Sequence, residues 1–80
     1  MTYDPARAFR NRMRLTESRI KDMGMLIARW DEYDAIQLLP PEARNRNITK
    51  PRRSRADARW HQDMLVQHLG ELEELWERRQ

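Results

Sequence analysis

The sequence predicts an all-α fold, a two-helix antiparallel hairpin, and three observations carry that prediction. Phe9, Met13, Thr16, Ile20, Met23, Ile27 and Trp30 alternate spacings of four and three, which keeps one apolar seam on one side of a helix. Pro40-Pro41 stops this pattern and opens a basic stretch with hardly any apolar content. A second helical stripe then follows Ser54 and runs to the end of the chain.

Helix 1 is expected over about residues 5–38. The Asp4 carboxylate can accept from the free amides of the first turn, and Pro5 at the first helical position loses no hydrogen bond. The stripe through Ala6, Phe9, Met13, Ile20, Met23, Leu26, Ile27, Trp30 and Tyr33 widens toward its C-terminal half, which implies more than one neighbour there. Thr16-Glu17-Ser18 has the composition of a helix cap, so a kink or break near Thr16 is one expectation. Gly24, at the edge of the apolar face, is either a tolerated glycine or a point where another backbone approaches.

Residues 40–54 form the connection, with Pro41-Glu42-Ala43-Arg44 able to make one helical turn. At roughly 15 residues the connection exceeds the usual two to eight between antiparallel helices, and long loops in small domains tend to be functional or mobile. Ser54 with Asp57 has the spacing of a capping box, so helix 2 is expected over about 55–79. Its broad face comprises Ala58, His61, Leu65, His68, Leu69, Leu72, Leu75 and Trp76, with Met64 and Val66 at the margins; Gly70 falls on the solvent side.

Length sets the next expectation. Eighty residues make one domain, spanning 1–80, of a size at which one core contributes only about 3–5 kcal/mol. There is no cysteine to add a disulfide or a thiolate metal site, which leaves association as the remaining source of burial. Helix 1, at about 50 Å, is longer than helix 2, at about 37 Å, so alignment at the loop would leave Phe9 and Met13 overhanging without cover. Leu15, Met25, Ile36 and Trp60 also lie off the main stripes. The expected function is therefore that of a non-enzymatic protein–protein interaction module, an adaptor, inhibitor or assembly component that self-associates or docks on another protein. Its anchors are Phe9, Met13, Trp30, Tyr33, Trp60 and Trp76, because large aromatic and Met side chains dominate interface energetics.

Charge supplies the alternative. The formal net charge of +3 divides into +6 for residues 1–59 and −3 for residues 60–80. Arg44, Arg46, Lys50, Arg52, Arg53, Arg55 and Arg59 make the region around the loop a candidate for nucleic acid or another polyanion, since guanidinium groups suit phosphate oxygens and Trp60 could stack on a base.

Other classes find little in the residues. His61 and His68, seven apart, are too distant to share an ion and read as core-edge histidines, with Asp34 across the hairpin as a candidate partner. Asp31, Glu32 and Asp34 diverge around a helix rather than converging on a substrate. No phosphate loop, nucleophile–base pair or metal set is present, so no enzyme, cofactor or small-molecule substrate is expected. The longest apolar run, Met25 to Ala28, is too short to span a bilayer, and the N-terminus lacks a signal-peptide pattern, which implies a soluble, cytoplasmic protein without a membrane partner.

Overall fold

Asp4 sets the start of the first helix: its Oδ1 accepts from the amides of Ala6 at 3.1 Å and Arg7 at 3.3 Å. In the computed structural model, which describes residues 3–44 and 48–79, helix α1 then runs Pro5–Gln37 without interruption. It does not break at Thr16. That residue is buried at the helix contact, and its hydroxyl donates to the Arg12 carbonyl oxygen at 2.9 Å, so the side chain bonds back within the helix and starts no new one. Leu38 caps α1, and a 3₁₀ turn, Pro41–Ala43, follows the proline pair.

Helix α2, Arg55–Arg79, opens as the Ser54 spacing implied. Ser54 Oγ accepts from the Asp57 amide at 3.1 Å. Asp57 lies in the first turn, and Arg78 and Arg79 lie in the last, each opposing the helix dipole. The two helices pack against each other along their apolar stripes. Ala58 is fully buried and Leu72 nearly so, but no large side chain among the described residues is completely enclosed.

The register differs from the one that helix lengths alone imply. Phe9 does not overhang: its ring centroid lies 5.4 Å from that of Trp76, and the Arg79 guanidinium lies 6.0 Å from the Phe9 ring. At the other end the Trp30 indole N–H donates to the Arg53 carbonyl oxygen at 2.6 Å. The connection therefore folds back along α1 before α2 begins, and α2 starts opposite Asp31 rather than opposite the end of α1. The unequal lengths are accommodated at the loop end, where Tyr33 to Gln37 extend past the start of α2.

The two glycines have different surroundings. A Cβ on Gly24 would meet Gln62 Nε2 at 3.2 Å, and that amide donates to the Ile20 carbonyl oxygen, so what comes close to Gly24 is a side chain rather than the backbone of α2. Gly70 has nothing within 4 Å of the position a Cβ would take. Gly70→Ala is therefore expected to stabilise the hairpin by about 0.5–1 kcal/mol, read as a higher urea midpoint in circular dichroism with an unchanged slope.

Candidate functional site

The residues with binding chemistry divide into those that hold the hairpin together and those that remain on its surface. Phe9, Met13, Trp30, Tyr33 and Trp76 are half-buried and belong to the first group. Trp30 packs edge-on to Tyr33, with centroids 5.8 Å apart at 86°, and Lys50 Nζ lies 5.8 Å over the Trp30 ring. Trp60 alone of the six aromatic and methionine anchors points largely into solvent, at 64% exposure.

The basic region is engaged in a similar way. Arg44 donates from Nε to the Leu39 carbonyl oxygen at 3.0 Å and from Nη2 to that of Gln37 at 3.2 Å, so it caps the end of α1, whose last turn carries no basic residue of its own. Arg53 reaches the other way. Its Nη2 donates to His61 Nδ1 at 2.8 Å and its Nη1 approaches Met23 Sδ at 3.5 Å, which joins the loop to both helices. Arg55 Nη2 bridges Asp31 at 2.9 Å and Asp34 at 2.5 Å.

These bonds correct the candidate His61–Asp34 contact. Asp34 is taken by Arg55, whose guanidinium at the start of α2 reaches both Asp31 and Asp34. His61 instead accepts from Arg53. Arg52 and Arg59 are exposed, and Arg46 lies outside the described residues. Of the seven basic residues that read as one polyanion cluster in sequence, Arg44, Arg53 and Arg55 are thus pulled toward different internal acceptors.

The surface that remains is apolar in several places. Leu15, Met25, Val66 and Leu75 are each about half exposed, and Met64 is 43% exposed. Sequence reading identified Leu15, Met25 and Trp60 as lying off the stripes, whereas Ile36 is half-buried. It assigned Leu75 to the covered face of helix 2. The signal that could have corrected this is the helical period, since Leu75 lies about 100° round α2 from Trp76, whose ring packs on Phe9.

No group of His, Asp and Glu among the described residues is arranged to hold a metal ion. No described helix is long and apolar enough to cross a membrane. Comparison with protein-family models, curated proteins and solved structures finds no match to this chain.

Proposed function

We propose that this protein is a non-enzymatic protein–protein interaction module that acts through coiled-coil-like helix packing. One observation carries the reading: the hairpin exposes 6888 Å² of surface, where a compact monomer of its mass exposes about 5,200 Å². Its radius of gyration is 18.4 Å against about 12 Å for a compact chain of this length. Two long helices in one layer bury only the seam between them. The remaining apolar side chains stay wet until another surface covers them.

Polyanion binding through the loop receives less support, because Arg44, Arg53 and Arg55 already have internal acceptors and Lys50 sits over Trp30. Urea titration of the dilute chain, followed by circular dichroism, tests the main reading. A shallow transition at low urea is expected of a hairpin that lacks its cover; a steep transition at high urea would contradict it. Titration with a single-stranded oligonucleotide separates the alternative. Tight binding that weakens linearly with the logarithm of salt concentration would favour the polyanion reading instead.

A further inference from the structure

One residue ties the connection to both helices. Among the described residues, every hydrogen bond from residues 48–53 to a helix is made by Arg53. Its carbonyl oxygen accepts from the Trp30 indole, its Nη2 donates to His61 Nδ1 at 2.8 Å, and its Nη1 lies 3.5 Å from Met23 Sδ. Arg53 and His61 are both half-buried. Before Arg53 the connection lies beside α1 with a groove of about 290 Å³ between them, Ile48 and Pro51 on one side and Leu26 and Arg29 on the other. Residues 48–53 thus form a strap along α1, fastened at its end.

The fastening depends on a protonation state. A guanidinium donates and does not accept, so His61 Nδ1 is the acceptor, and the imidazole that accepts there is neutral with its proton on Nε2. A proton on Nδ1 leaves two donors facing each other and sets two cations a hydrogen-bond length apart. The charged groups around the pair are otherwise placed. On α2, Asp57 lies one turn before His61 and His68 two turns after it, and on α1, Asp22 adjoins Met23 and Arg19 lies one turn before it. In the connection, Lys50 sits over Trp30 and Arg52 lines the α1 groove. Among the described residues the ion pairs are Arg55 with Asp31 and Asp34, and His68 with Glu71, so no carboxylate pairs with His61.

We propose that this connection is a pH-released strap: neutral His61 holds it against α1, and protonated His61 lets it go. Histidine takes up its second ring proton as the pH falls through about 6.5. The Arg53–His61 bond requires the folded chain and a neutral ring, so the stabilisation it gives is present above that range and lost below it. Without it, the Arg53 carbonyl oxygen alone holds the Trp30 indole, and Lys50 leaves the indole face with the strap. Release uncovers more of Met23, Leu26 and Trp30, an apolar surface at the loop end that is covered at neutral pH. The start of α2 stays on α1 through Arg55, because carboxylates and guanidinium groups titrate well outside this range. Every contact involved lies within one chain, so the strap is independent of the interaction-module reading.

Nuclear magnetic resonance of the full chain, following the tryptophan indole N–H signals, tests the proposal. The Trp30 N–H is expected to exchange with water about tenfold faster, relative to its intrinsic rate, at about pH 5.5 than at about pH 7.5, with helicity by circular dichroism nearly unchanged. His61→Gln supplies a neutral acceptor that takes up no proton and should keep the N–H protected at both pH values. His61→Lys sets a lasting cation against Arg53 and should leave it unprotected at both. His68→Gln should respond to acid as the parent chain does.

Equal protection of the Trp30 indole at the two pH values in the parent chain overturns the strap, and that comparison needs no variant to fold. An acid response that survives His61→Gln, or that disappears with His68→Gln, overturns it as well. Loss of the helices at about pH 5.5 would mean that the whole hairpin unfolds rather than the strap alone, and is a third contrary result.

Discussion

Replacing Trp30 with alanine is expected to cost about 3 kcal/mol, the lower end of the range for removing a large aromatic because the ring is half-buried. The residue stabilises the loop end in three ways at once: it packs edge-on to Tyr33, receives Lys50 on its face, and donates its indole N–H to the Arg53 carbonyl oxygen. Trp30→Phe separates these effects. The phenyl ring keeps most of the packing and loses the N–H, so it should cost only about 1 kcal/mol for the missing hydrogen bond. A single core of this size contributes about 3–5 kcal/mol, so Trp30→Ala should leave little cooperative transition in urea, and Trp30→Phe a weakened but intact one. If the two variants lose equal stability, the hydrogen bond rather than the packing holds the loop down; if neither loses any, the folded-back connection is wrong.

The second large effect is expected at Ala58. This residue has no exposed surface and marks a tightly closed point of the helix contact, so a longer side chain there must push the helices apart or leave its rotamer. Ala58→Leu is expected to destabilise the hairpin by about 1–3 kcal/mol, equivalent to a fall of roughly 4–8 °C in Tm for each kcal/mol in a domain of this size. Ala58→Ser adds little volume and should cost less. Thermal unfolding by circular dichroism distinguishes them, and a leucine variant as stable as the parent would mean that the helices are not in contact at this turn.

Much of the fold was legible because its signals are local. Asp4-Pro5 and Ser54 cap within one turn, and Pro40-Pro41 terminates within one turn, so the helix limits read from the sequence fall within a residue or so of those found. Thr16 was ambiguous for a related reason. Its hydroxyl can cap a helix or bond back to the preceding turn, and burial against α2 selected the second.

The candidate site was less legible. Arginine density identified a basic region, but density does not show which carbonyl oxygens, carboxylates or ring nitrogens lie within reach. Arg44, Arg53 and Arg55 found theirs at α1 carbonyls, at His61 and at the Asp31–Asp34 pair. Leu15 was visible in the sequence as an apolar residue off the stripe, and the structure leaves it half exposed.

By itself, the sequence determined two helices, their limits and the basic connection, because periodicity and capping act over a few residues. Only the tertiary structure decided the register, which pairs Phe9 with Trp76 and carries the loop back to Trp30. Register depends on contacts between residues more than twenty positions apart, such as the Trp30 indole and the Arg53 carbonyl. No helical period reports that separation.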